Sequence, residues 1–128
     1  MNLFSSPKIL LVLGTLFALA AVTIGSFGAH YLKNRLATEA LTTFEIGVRY
    51  QMYHALALVL VALICLLYPQ AALMTAGWCF VLGMMLFCGS LYALACTGVK
   101  WWGAVTPIGG ITFLVGWIFF LIGVWKGV

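Results

Sequence analysis

Four long apolar segments, separated by short polar stretches, dominate the hydropathy pattern of the chain. They run over about residues 9–29, 46–68, 71–97 and 106–125. A helix of roughly 20 apolar residues crosses the ~30 Å hydrocarbon layer of a bilayer. Because the connections are short, consecutive segments must reverse direction. The pattern therefore predicts an all-α integral membrane protein, a four-helix antiparallel bundle, with residues 1–128 as a single transmembrane domain.

Composition supports a membrane protein and excludes several other classes. Hydrophobic residues make up 66% of the 128 residues and charged residues 6%, against about 25% charged in soluble domains. The net charge of +4 comes from scattered Lys and Arg, without the clustered basic face that nucleic acids require. The four cysteines lie in apolar runs without Cys-x-x-Cys spacing, so we expect neither a metal site nor a cofactor.

Local signals mark the helix starts and the packing faces. Thr38 is a plausible N-cap for a second helix that starts before its apolar part, and Pro107 after Thr106 predicts the start of the fourth. Small residues recur at helical spacing on one face of the first and fourth helices, which predicts close helix packing there. These residues are Gly14, Ala18, Ala21, Gly25 and Gly28, then Gly109, Gly116 and Gly123.

Polar side chains are predicted to gather in one leaflet. With four spans, the first and third connections lie on the same side of the membrane, and the polar residues lie near those connections. The candidate site residues are His30, Glu45, Arg49, Tyr53, His54, Ser90, Tyr92, Lys100 and Thr106. Ionisable residues within spans are expensive and need partners, so the other helices should supply them.

Three interpretations of this cluster remain open at this point. The favoured one is an internal hydrogen-bonded network that fixes the helix orientations, with His54 as an interhelical donor. A second is a headgroup or anion pocket formed by Arg49, Lys100 and the free N–H groups at the start of the fourth helix. The third is a nucleophilic enzyme site built from Ser90 and His54, with Glu45 orienting the histidine.

Five blocks of sequence resemble a known family. They are GSFGAH at 25–30, RYQMYHALA at 49–57, GSLY at 89–92, GAVTPIGG at 103–110 and GW at 116–117. Together they resemble the YgdD-like, or transmembrane protein 256, family of small four-span proteins. The resemblance implies a protein of the bacterial cytoplasmic (inner) membrane, and it implies no catalytic or ligand residues.

The leading functional hypothesis is a small structural or accessory membrane protein whose polar leaflet binds a lipid headgroup or a partner helix. Expected partners are membrane lipids and either further copies of the chain or another membrane protein, not nucleic acid. The alternatives are a subunit of an oligomeric transporter or channel, and a lipid-modifying enzyme.

Overall fold

The computed structural model describes residues 2–128, and these residues fold into four long helices. The helices are α1 (Pro7–Leu32), α2 (Thr38–Leu67), α3 (Ala71–Thr97) and α4 (Trp102–Gly127). Each is long and apolar enough to cross a membrane. The predicted all-α four-helix class is confirmed, since the described residues form helices and no strands. A short 3₁₀ turn, Leu3–Ser5, precedes α1.

Two helices contain a widened π-helical turn, at Ile24–Gly28 in α1 and at Met84–Cys88 in α3. Such a turn accommodates one extra residue within an otherwise α-helical segment. In α3 the turn lies just before the candidate residue Ser90. In α1 it includes Gly25, whose lack of a side chain matters for the site described below.

Helices α1 and α2 pack antiparallel along the predicted stripe of small residues. Gly14 faces Val59, Gly25 faces Val48 and Gly28 faces Phe44, so numbers rise along α1 as they fall along α2. A Cβ atom at any of these three glycines would lie within 3 Å of the facing side chain. The packing seam predicted on the first helix is therefore confirmed.

Helices α3 and α4 pack just as closely, and their contacts repeat every seven residues along both helices. Phe87, Phe80 and Leu73 of α3 lie against glycines of α4 that are seven residues apart, Gly109, Gly116 and Gly123. In the opposite direction, Phe113 of α4 lies against Gly83 of α3. Because lipid removes the hydrophobic drive between spans, close van der Waals contacts of this kind hold them together.

The buried core lies between α2 and α3, which are the most buried spans, whereas α1 is the least buried. Leu10, Leu58, Leu73, Phe80 and Met84 are among the largest fully buried side chains. The outer faces of all four helices carry exposed leucine, isoleucine or valine. A bilayer solvates such faces, which is why the bundle needs no polar exterior along its spans.

The starts of α2 and α4 correct two local predictions. Ala37, rather than Thr38, is the N-cap of α2, and it makes no side-chain capping bond. Helix α4 begins at Trp102, so Pro107 lies inside the helix and Thr106 does not cap it. Backbone bonds from residues 102–104 to residues 99–101 wind the connection into a helical turn before the proline is reached.

Candidate functional site

The antiparallel packing places seven of the nine candidate residues in the half of the bundle that contains the α1–α2 and α3–α4 connections. The other two, Tyr53 and His54, lie near the middle of α2, where the ring of His54 contacts Phe80, Phe113 and Trp117. The candidate residues fall into two groups that point in different directions. His54 and Ser90 are buried, and Tyr92 and Thr106 are half-buried between helices. His30, Glu45, Arg49, Tyr53 and Lys100 are exposed. The first group can therefore bond between helices, whereas the second can meet the surroundings of the bundle.

His54 is held by hydrogen bonds through both of its ring nitrogens. Its Nδ1 lies 2.8 Å from the carbonyl oxygen of Tyr50, and the indole N–H of Trp117 lies 3.0 Å from its Nε2. An indole nitrogen only donates, so Nε2 is the acceptor and Nδ1 carries the proton that is donated to Tyr50. The ring also stacks on Phe113, with centroids 3.6 Å apart. His54 thus joins α2 to α4 as a neutral imidazole. The prediction that it is the donor between helices is wrong, because Trp117 donates and His54 accepts.

Gln51 joins three helices and is a polar core residue that the sequence analysis missed. Its amide nitrogen donates to the carbonyl oxygen of Phe17 in α1 at 2.9 Å. Its amide oxygen accepts from the Tyr92 hydroxyl of α3 at 2.7 Å. The sequence places Gln51 seven residues from both Phe44 and Leu58, hence on one helical face with them. That this face is the buried one is shown only by the structure.

Ser90 and Thr106 form a third link, between α3 and α4. Their hydroxyl oxygens are 2.7 Å apart. Ser90 lies 2.9 Å from the carbonyl oxygen of Phe87, whereas Thr106 lies 3.3 Å from that of Trp102. The shorter distance favours donation from Ser90 to Phe87 and from Thr106 to Ser90.

The buried polar groups satisfy one another and are not arranged as a Ser–His catalytic pair. The Nε2 atom of His54 is engaged by Trp117, and the Ser90 hydroxyl by Thr106 and Phe87. Over residues 2–128, every buried side-chain nitrogen and oxygen atom has a hydrogen-bond partner. Because an unpaired polar group in hydrocarbon costs several kcal/mol, this network stabilises the helix positions.

The exposed residues Glu45 and Arg49 border a small cavity between α1 and α2. We call it the α1–α2 notch; its volume is about 240 Å³, and it is lined by Gly25, Ala29, Phe44, Glu45, Val48 and Arg49. Glu45 and Arg49 are one helical turn apart, so their side chains lie on the same face of α2. The opposite wall is formed by Gly25 and Ala29 of α1, so the methyl group of Ala29 is the one side chain that α1 contributes to it.

The remaining candidates lie outside the α1–α2 notch. Lys100 is exposed in the α3–α4 connection, and Thr106 turns inward to Ser90. The predicted anion pocket that combined Arg49, Lys100 and free N–H groups of α4 is wrong, because the first three N–H groups of α4, at residues 102–104, donate to the carbonyl oxygens of residues 99–101. Tyr53 is exposed and its ring meets that of Tyr50 edge-on. His30 is exposed near the end of α1.

The described part of the chain offers no obvious metal centre. Across residues 2–128, no group of three or more His, Cys, Asp or Glu side chains could hold a metal ion. The four cysteines are free, and Cys65 and Cys88 are buried in the apolar core.

Comparison with known proteins matches residues 24–110 to the family described as "Protein of unknown function (DUF423)". The chain belongs to this family. The DUF423 match covers all nine candidate residues and the whole α1–α2 notch. The resemblance correctly predicted a family of small membrane proteins, while the name YgdD-like stays a prediction.

Relatives of the chain carry names of membrane proteins. The UPF0382 membrane protein SSP2132 of Staphylococcus saprophyticus is 42% identical over 119 residues, which cover 93% of this chain and 98% of the relative. The UPF0382 membrane protein YwdK of Bacillus subtilis is 41% identical over 120 residues, with coverage of 93% and 98%. No solved structure matches the chain. Together with the four apolar helices, these relatives identify this DUF423 member as a multi-pass membrane protein.

Proposed function

We propose that this protein is a structural or accessory component of the bacterial cytoplasmic membrane, and that its α1–α2 notch binds a phospholipid headgroup. The observation that carries the proposal is the outward position of Glu45 and Arg49 beside a cavity, while the interior polar groups are satisfied by one another. The bacterial origin of the related membrane proteins supports the location.

The length of α2 supports a position of the α1–α2 notch at headgroup depth. Arg49 precedes Leu67, the last residue of α2, by 18 residues, or about 27 Å at 1.5 Å per residue. The hydrocarbon layer is about 30 Å thick. With Leu67 at one boundary, Arg49 therefore lies near the other, where its long side chain can extend to the phosphate layer.

The chemistry of arginine supports a phosphate as the bound group. A guanidinium presents donors in a planar fork that matches two oxygens of one phosphate, and these charge-assisted bonds are stronger than neutral ones. Exposed Tyr50, next to Arg49 on α2, is typical of the aromatic belt of membrane proteins. The exposed side of α2 thus resembles an interfacial lipid contact.

The internal network supports a structural role for the remaining polar residues. Gln51 links α1, α2 and α3, His54 links α2 to α4, and Ser90 links α3 to α4. These bonds have defined partners within the bundle, so they hold the helices that shape the notch. We infer that the buried residues position the site and that the exposed pair contacts the ligand.

Native mass spectrometry of the detergent-extracted protein tests this function. We expect phospholipid to remain bound to the wild-type protein and to be lost from Arg49→Gln. Lys33→Gln is the matched control, because it removes an exposed positive charge from the same side of the bundle, outside the notch. Equal lipid retention by both variants would contradict a headgroup site at Arg49. If Arg49→Gln keeps its lipid but loses a co-purifying protein, the α1–α2 notch binds a partner helix and not a headgroup.

A further inference from the structure

We propose that the α1–α2 notch selects a zwitterionic headgroup with a primary ammonium, as in phosphatidylethanolamine, with the phosphate at Arg49 and the ammonium at Glu45. This inference rests on the proposed function and specifies its ligand. It follows from a feature that a simple anion site would not need, namely a carboxylate that lines the same cavity as the arginine.

The order of the two charges along α2 matches the order of charges in such a lipid. Glu45 is four residues closer to the start of α2 than Arg49, which places it about 6 Å farther from the hydrocarbon. In a phospholipid the phosphate is bonded to glycerol, so it lies deeper than the terminal amine. The deeper arginine therefore meets the phosphate, and the outer glutamate meets the ammonium.

The type of amine follows from hydrogen-bond chemistry. A carboxylate only accepts hydrogen bonds, and a primary ammonium carries three donors. The trimethylammonium of a choline headgroup has no N–H to donate, and a glycerol headgroup leaves the Glu45 charge uncompensated beside an anionic lipid. Among these three headgroups, ethanolamine alone satisfies both side chains of the pair.

The α1–α2 notch is large enough for the proposed headgroup. Its volume of about 240 Å³ leaves room for phosphoethanolamine, which is a group of eight non-hydrogen atoms. Gly25 and Ala29 form the wall that faces the charged pair; Val48 packs into the space beside Gly25, and Ala29 adds only a methyl group to the wall. A larger side chain at position 29 would therefore fill the site without altering either charge.

The experiment measures which lipid each variant binds. Protein purified in detergent is mixed with equimolar ethanolamine, choline and glycerol phospholipids that share the same acyl chains, and bound lipid is counted by native mass spectrometry. We expect the wild type to prefer the ethanolamine lipid by about three- to tenfold, equivalent to about 0.7–1.4 kcal/mol at 1.4 kcal/mol per tenfold. Soluble phosphoethanolamine should not displace it, and displacement would overturn a lipid as the ligand.

Two variants separate this inference from the proposed function. Glu45→Gln should still bind phospholipid through Arg49 but should lose the preference for ethanolamine over glycerol lipid. Glu39→Gln, which removes an exposed carboxylate from the first turn of α2 outside the notch, should keep the preference. If Arg49→Gln abolishes lipid binding but Glu45→Gln leaves the preference unchanged, the headgroup site stands and the ethanolamine assignment is wrong.

A charge swap and a filling variant exclude an explanation by mutual pairing of the two side chains. The double variant Glu45→Arg with Arg49→Glu keeps one acid and one base a turn apart but reverses their order along the membrane normal. It should lose the ethanolamine preference, and retention would overturn the proposed orientation. Ala29→Leu should lower ethanolamine-lipid binding with both charges intact, and unchanged binding would show that the ligand lies outside the notch.

Discussion

A single methyl group added at Gly109 should separate α3 from α4, whereas the same methyl at Gly110 should not. A Cβ atom at Gly109 would lie 2.4 Å from the backbone nitrogen of Phe87 and 2.7 Å from its Cα atom. At Gly110 the nearest atom would be a ring carbon of Phe87 at 3.8 Å, an ordinary contact. The two variants thus add the same methyl group at adjacent positions and differ in which atoms that group meets.

The magnitude follows from how far the helices must move. Non-bonded carbon atoms rest about 3.5–4.0 Å apart, so Gly109→Ala requires a local shift of about 1 Å between two backbones. Overpacking of this kind costs about 1–3 kcal/mol. The shift would also stretch the Ser90–Thr106 bond, one turn away, whose loss costs about 0.6 kcal/mol in a membrane protein.

Helix propensity acts in the opposite direction at both sites. Alanine is favoured over glycine within a helix by about 1 kcal/mol. We therefore expect Gly109→Ala to lower the free energy of unfolding by about 0.6–2.6 kcal/mol. Gly110→Ala should leave this free energy unchanged or raise it by up to about 1 kcal/mol.

Reversible unfolding by sodium dodecyl sulfate in mixed micelles, followed by tryptophan fluorescence, measures both free energies. Unfolding of Gly109→Ala and Gly110→Ala at the same denaturant fraction would contradict a backbone clash at Gly109. A higher stability of Gly109→Ala than of Gly110→Ala would contradict it as well. Gly109→Ala should also destabilise a Phe87→Ala variant relative to Phe87→Ala alone, because the clash involves the backbone of residue 87 and not only its ring.

Three further predictions concern single hydrogen bonds and one turn. Trp117→Phe removes the donor to His54 and should cost about 1–2 kcal/mol in the same unfolding assay, because a buried acceptor is left unpaired. Gln51→Leu should destabilise more than Tyr92→Phe, since it breaks bonds to two helices rather than one; equal losses would contradict this role. Gly98→Ala should destabilise the protein by about 1 kcal/mol, because its backbone φ of 70° is unfavourable for a residue with a side chain. A Cβ atom at position 98 meets no atom within 4 Å, so no clash adds to this cost. Gly98→Asn should be milder, because asparagine adopts the left-handed conformation more readily than alanine.

The main features of the fold follow from local properties of the sequence. Span length and apolar character determine four helices, and short connections make them antiparallel. The two widened turns, at Ile24–Gly28 and Met84–Cys88, leave no comparable signal, because the insertion of one residue depends on packing against other helices. The start of α4 was missed for a related reason: a proline rule is local, whereas residues 99–101 supply the first acceptors of the helix.

The gathering of polar residues on one side could be predicted from the number of spans, but their directions could not. Whether Arg49 or Gln51 points inward depends on the rotation of α2 about its axis. That rotation is set by contacts such as Phe44 against Gly28 and Gly47 against Tyr92, which link different helices. Trp117, on α4, was likewise invisible as a partner of His54 until the two helices were placed side by side.

The interlocking of α3 with α4 determines which parts of the bundle can move. Aromatic rings of each helix pack against glycines of the other. A shift of one helix along the other by one turn would bring each ring against a residue that has a side chain. Helix α1 is the least buried span, but it contacts two neighbours: α2 packs against its glycines, and its buried Leu10 fills the space beside Gly77 of α3. In the α1–α2 notch, Gly25 and Ala29 belong to α1, whereas Glu45 and Arg49 belong to α2. A headgroup bound there would touch both helices at once and would add to the contacts that hold α1 against α2.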